Sequence, residues 1–169
     1  MMVQNAPAGE ARFISTMAEH NDLCEQFARA FGNDEFERME PFEEMVFVVG
    51  NHDRGWAELN ENPGMVPETG LPTGLGTTPM SVGLSTNSKS PDFNEAKHLY
   101  CGLLSSMHSW GLYHERYGYT DFRVRPGGST SVPINKDYVA ETNEMLDAEL
   151  ARQDRIKAAL ASDPEFSAW

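Results

Sequence analysis

Residues 42–56 read FEEMVFVVGNHDRGW, and their pattern decides how the chain is built. Pro41 suits the first position of a helix, where no amide donor is needed. Glu43 and Glu44 fall in the first turn, where the helix dipole favours negative charge. Phe42, Met45, Val46 and Val49 recur at helical spacing, His52 and Asp53 follow one turn later, and Gly55 ends the run. The stretch predicts a buried helix whose inner C-terminal end carries an imidazole and a carboxylate side by side, a pair suited to a divalent metal.

Upstream, Thr16-Met17-Ala18-Glu19 is a capping-box pattern that satisfies orphan amides at a helix start. A stripe of Met17, His20, Cys24, Phe27, Ala28 and Phe31 follows and stops at Gly32-Asn33, which points His20 into the core. Residues 1–12 read as a loose N-terminal tail. Cys24 and Cys101 lie in helical patterns without CxxC spacing and read as small buried hydrophobes.

Downstream, residues 57–90 are punctuated by proline and glycine with no sustained period. Such a stretch leaving the His-Asp helix reads as a long loop acting as a lid or substrate wall. Ser90-Pro91 reads as the N-cap and first position of a third helix. Its stripe is Phe93, Lys97, Tyr100, Cys101, Leu104, Met107, His108 and Gly111, so a third histidine continues an apolar face. His98 is offset from His108 by about 80° around such a helix and flanks the site. Residues 111–118 are aromatic and turn-like, and 121–136 form another loop. A fourth helix over 137–161 has Val139, Leu146, Leu150, Ile156 and Leu160 on one side and charges on the other.

Ser162-Asp163-Pro164-Glu165 then signals a further helix start, Phe166, Ala168 and Trp169 begin an apolar face, and the sequence stops. This reads as a single domain, 1–169, truncated at its C-terminus, with apolar surface left exposed around Phe166 and Trp169. The expected fold is an all-α bundle of four or more helices, with long loops after Trp56 and Gly118.

A net charge of −13 opposes nucleic-acid binding, which needs clustered lysine and arginine. No run approaches the roughly 18 apolar residues of a membrane span. Met1 to Pro7 lacks the basic and apolar regions of a signal peptide, so the cytoplasm is the expected location. No G-x-S-x-G elbow, phosphate-binding P-loop or H-E-x-x-H motif is present. Three histidines on the apolar stripes of three helices, with an adjoining Asp, are costly to bury unless they share a partner. A shared metal satisfies His20, His52, Asp53 and His108 together. Imidazole plus carboxylate suits one or two divalent ions, Fe or Mn before Zn, in hydrolysis or oxygen activation of a small molecule.

The segments AEHNDLCEQFARAFGN (18–33), VVGNHDRGWAE (48–58), PETGLP (67–72), CGLLSSMHSWGLYHERYG (101–118) and RQDRIKAALASDPEFSAW (152–169) resemble, in order, a bacterial family called domain of unknown function 3891. That family looks like a distant relative of the HD superfamily of metal-dependent phosphohydrolases. The resemblance implies an HD-like helical bundle in which His20 matches the first-helix histidine, His52 and Asp53 the namesake catalytic pair, and His108 the histidine of the SMHxxGLY stretch. Arg54, Trp56, His98, Trp110, Tyr113 and His114 are expected to line the substrate approach. The implied activity is a metal-dependent hydrolase, with a di-iron oxygenase or a non-catalytic sensor or interaction module as alternatives. The Asp that closes the metal site in that superfamily lies on a late helix with no counterpart before Trp169. Asp147 and Asp154 would replace it only if the last helix turned inward.

Overall fold

The computed structural model describes residues 1–7, 9–113 and 136–167, and over these the chain is mostly helical. Its helices are α1 (Met17–Ala30), α2 (Phe42–Asn51), α3 (Ala57–Glu61), α4 (Met80–Lys97), α5 (Leu99–Tyr113) and α6 (Val139–Leu160). Two short antiparallel pairs accompany them, β1 (Met2–Val3) with β2 (Ile14–Ser15) and β3 (Met65–Val66) with β4 (Leu71–Pro72). The all-α expectation holds. Helix α5 is central, packed against α4 and α6 and touching α2, while α1 rests mainly on α2. No helix among the described residues is long and apolar enough to cross a membrane.

Helix α1 starts as its capping box predicts. The Thr16 hydroxyl accepts from the Glu19 amide at 3.1 Å, and the Glu19 carboxylate accepts from the Thr16 amide at 2.7 Å. Its buried face is narrower than the stripe, because only α2 and the short elements after it cover this helix. Met17, Asn21 and Ala28 are buried, whereas Phe27 is 67 % and Phe31 49 % exposed.

The expected loop over 57–90 is largely structured. It contains α3, the β3–β4 pair and the first eleven residues of α4, counting Met80 to Ser90. Ser90-Pro91 lies inside α4 rather than opening a helix. Proline at 91 has no amide to give the Asn87 carbonyl, which would ordinarily break the helix. Here the Ser109 hydroxyl of α5 donates to that carbonyl at 2.8 Å, so a tertiary bond replaces the missing helical one. The true break comes at His98, whose backbone is extended at φ −161° and ψ 145°. Its Nδ1 accepts from the Tyr100 amide at 3.1 Å and so caps α5.

Residues 1–12 are not loose where described. β1 pairs with β2, Gln4 donates its amide to the Phe13 carbonyl, and the Met1 carbonyl accepts from the Leu75 amide at 3.1 Å. Such pairing joins residues far apart in sequence and leaves no local pattern to read. In α6 the inward face is Thr142, Met145, Leu146, Glu149, Gln153, Ile156 and Leu160, while Val139 and Leu150 point outward. Asp147 and Asp154 are exposed and turn away from the core. The end of the described chain also departs from expectation. Asp163 Oδ1 accepts from the amides of Glu165 and Phe166, and Phe166 is buried against His98 and Tyr100 instead of exposed. His114, the loop after Gly118, the loop over 121–135 and Trp169 lie outside the described residues.

Glu149, only 2 % exposed, meets Arg152 at 3.1 Å, and Arg152 also reaches Glu95 at 2.7 Å. Burial pushes the Glu149 carboxyl above its ordinary range despite Ser106 and Arg152. The folded state therefore holds this proton more tightly than the unfolded chain, and its contribution to stability falls as pH rises through and above the ordinary value of 4.5. Glu149→Gln is expected to melt progressively higher relative to wild type as pH rises from about 4 to about 7. Thermal scans at both pH values check this. A constant difference would show that the ion pair with Arg152 cancels the cost of burial.

Candidate metal centre

His52 and Asp53 occupy the turn that leaves α2, and α4 grips that turn on both sides. Asn94 donates its side-chain amide to the Asn51 carbonyl at 3.0 Å, and one helical turn earlier Ser90 Oγ accepts from the Gly55 amide at 2.9 Å. The fit is tight. A Cβ on Gly55 would stand 1.9 Å from the Thr86 carbonyl oxygen, so only glycine lets the turn lie against α4.

The His52 ring is held by its Nδ1–H, which donates to the Val49 carbonyl at 2.8 Å. That bond turns Nε2 inward, the arrangement by which proteins fix a ligating imidazole. His52 Nε2 lies 3.2 Å from Asp53 Oδ2 and 3.3 Å from His20 Nε2, and His20 Nε2 lies 3.9 Å from the same carboxylate oxygen. His108 of α5 stands edge-on to His52, with ring centroids 5.2 Å apart, and its ligand atom joins those of His52 and Asp53 within 4.8 Å of one another. All four residues read as ligands therefore converge.

Charge distribution explains how the cluster is held without an ion. Burial alone would favour neutral rings, and it does lower His20 and His108, with His52 as a second cause in each. Burial also acts on His52, but the Asp53 carboxylate and the Val49 carbonyl outweigh it and raise that ring. Asp53 would be raised by burial and is instead lowered by His52, His108 and His20. One proton thus concentrates on His52 opposite one carboxylate, while two imidazoles stay neutral. A divalent ion would take the place of that proton among donors already in the required state.

The centre opens on a cavity of about 230 Å³. Trp56, Leu112 and Tyr113 form one part of its wall, and Leu75, Thr78 and Met80 form another. The proline- and glycine-rich stretch thus does supply a wall. Asn87 donates to the Tyr113 hydroxyl at 3.0 Å, and burial pushes that hydroxyl up to about 12, so Tyr113 remains a neutral phenol. Asn87 and Thr78 carry no motif that would have revealed them. A larger cavity of about 420 Å³ lies between β1 and the 66–77 segment, but its lining contains no histidine, cysteine or carboxylate, so the chemistry belongs to the smaller one.

Of the other residues read as lining the approach, Trp56 and Tyr113 do so and His114 lies outside the described residues. Trp110 packs beside the Leu84–Tyr113 core cluster rather than in the cavity wall. Arg54 is exposed, its guanidinium 5.2 Å from the Phe93 ring centre on the outer side. His98 sits at the α4–α5 corner, 4.3 Å from the Phe166 ring. One residue was misread from sequence. Cys24 is half-buried beside His20, with Sγ 3.6 Å from Nε2, and it forms a second potential ligand group with His20 and His52. The His-x-x-x-Cys spacing on α1 was the available signal, since residues four apart share a helix face.

The fold and site together define a helical protein with a histidine–aspartate cluster able to hold a metal ion at the floor of a small cavity. The chain belongs to the family described as "Protein of unknown function (DUF3891)", which matches residues 1–168. No curated protein and no solved structure matches it.

Proposed function

We propose that this protein is a metal-dependent hydrolase of the phosphohydrolase type, acting on a small molecule with one divalent ion held by His20, His52, Asp53 and His108. The observation that carries this reading is the convergence of those four side chains at the floor of a cavity. Resemblance to the HD superfamily, with its namesake pair in His52-Asp53, agrees with it. His52 favours one ion over two. Its Nδ1 is committed to the Val49 carbonyl, so it offers a single nitrogen, and Asp53 is the one carboxylate in the clusters described.

An ion bound there supplies Lewis acidity, polarising a substrate oxygen and making a nearby water more acidic. The chain's own groups do the rest. Asp53 and His52 are the acid–base pair beside the reacting centre and can take and return a proton across their 3.2 Å contact. The Tyr113 hydroxyl, turned by Asn87, offers a donor to a substrate oxygen. Trp56, Met80 and Leu112 exclude bulk water. No lysine or arginine lines the cavity, so an anionic substrate would depend on the ion and imidazoles for its counter-charge. A volume of about 230 Å³ is below the usual range for drug-sized ligands and limits the substrate to a small molecule.

The test is metal analysis of protein purified without chelator, followed by assay of aryl phosphate mono- and diesters before and after chelation. The expected result is about one equivalent of metal and hydrolysis that chelation lowers by at least roughly 10–100-fold and added metal restores. Protein lacking metal, or hydrolysis indifferent to chelator, would overturn the reading. Bound metal without hydrolysis of either ester class would leave the sensor alternative, and iron-dependent consumption of dioxygen would establish the oxygenase.

A further inference from the structure

We propose that the Cys24 thiolate is a further ligand of this ion, giving a centre of nitrogen, oxygen and sulfur donors that takes Zn²⁺, Co²⁺ or Fe²⁺ in preference to Mn²⁺ or Mg²⁺. The inference rests on the metal-centre reading above and assigns the kind of ion it takes.

The spacing of donor atoms carries the argument. In a tetrahedral site with metal–nitrogen bonds of about 2.0–2.1 Å and a metal–sulfur bond of about 2.3 Å, neighbouring nitrogens stand about 3.3 Å apart and nitrogen and sulfur about 3.6 Å apart. The observed distances are 3.3 Å from His20 Nε2 to His52 Nε2 and 3.6 Å from Cys24 Sγ to His20 Nε2. The 3.2 Å from His52 Nε2 to Asp53 Oδ2 is a third edge of nearly the right length. Cys24 and His20 are four residues apart on α1, so one helix face delivers both donors.

The other cysteine shows what a thiol with a purely structural place looks like. Cys101 is 0 % exposed on α5, its nearest polar partner is the Glu44 carbonyl at 3.8 Å, and burial pushes its thiol up to about 11. Cys24 is only half-buried and faces imidazoles. On binding, the Cys24 sulfur would form the bond to the ion and its proton would leave to solvent, with no change in oxidation state. A thiolate among imidazoles favours borderline and soft ions, whereas Mg²⁺ and Mn²⁺ favour oxygen donors.

The test is optical titration of the metal-free protein with Co²⁺, which reports coordination without any assay of turnover. Visible ligand-field bands that saturate at one equivalent report the centre itself, and a near-ultraviolet sulfur-to-cobalt charge-transfer band reports Cys24. Because the chain has 2 Cys, a charge-transfer band that survives Cys101→Ser belongs to Cys24 even if a Cys24 variant fails to fold. Cys24→Ser is expected to keep the ligand-field bands, lose the charge-transfer band and weaken Zn²⁺ binding at least about tenfold more than Mn²⁺ binding. Ligand-field bands without charge transfer in wild type would overturn the role of Cys24 and leave the metal centre standing. No saturable ligand-field bands in wild type would overturn both.

Discussion

Asp53→Ala is expected to leave protein that folds but retains less than about a tenth of an equivalent of metal after purification without chelator. Asp53 supplies the carboxylate of the cluster, only 15 % of its side chain is exposed, and its Oδ2 faces both His52 and His20. Removing it deletes a ligand and also the negative charge that keeps a positive ion tolerable beside three imidazoles. His52 would then respond to burial alone and lose its proton at lower pH, since Asp53 supplies most of what raises it. Asp53→Asn separates the two effects. It preserves shape and one acceptor oxygen but no charge, and it is expected to lose metal nearly as completely. Elemental analysis with circular dichroism checks both variants, and full metal content in Asp53→Ala would remove Asp53 from the centre.

Gly55→Ala is expected to be the most destabilising single-methyl addition at the site. Its new carbon would stand 1.9 Å from the backbone oxygen of Thr86, and a helix carbonyl cannot swing aside as a side chain can. The turn must therefore lift from α4, breaking the Gly55–Ser90 bond and straining the Asn94–Asn51 bond. Overpacking of this kind costs about 3 kcal/mol or more. For a chain of this size that lowers the melting temperature by on the order of 10 °C. Because His52 and Asp53 ride on the lifted turn, metal affinity should fall as well. A melting temperature within about 2 °C of wild type would show that the turn relaxes without help from α4.

How much of this was legible in the sequence depends on whether the deciding interaction is local. The capping box at Thr16 and Glu19 and the placing of His52 and Asp53 after the apolar run of α2 involve neighbours in the chain, and both stand in the structure. The start of α4 was misplaced because Ser90-Pro91 carries every local mark of a helix beginning. What keeps the helix continuous is a hydroxyl from Ser109, eighteen positions beyond Pro91. Cys24 was read as a hydrophobe because a buried thiol and a ligating thiol have the same helical spacing, and only the position of His20 and His52 around it tells them apart. The lining residues Thr78 and Asn87 belong to a wall assembled from two elements, which no periodicity reports.

Helix α1 has a consequence of a different kind. It rests mainly on α2, shows Leu23, Phe27 and Phe31 to solvent, and yet brings His20 and Cys24 to a centre whose other donors belong to the α2–α4–α5 body. Few buried apolar contacts hold such an element, which places it among the parts of a protein that open first. An ion gripped from both sides joins the lightly held helix to the firmly held body. By linkage, occupancy then adds to the cohesion of α1 as the logarithm of free ion over its dissociation constant. The local concentration of metal becomes a setting for how often this edge of the protein opens, and ion release and helix detachment become two observations of one equilibrium.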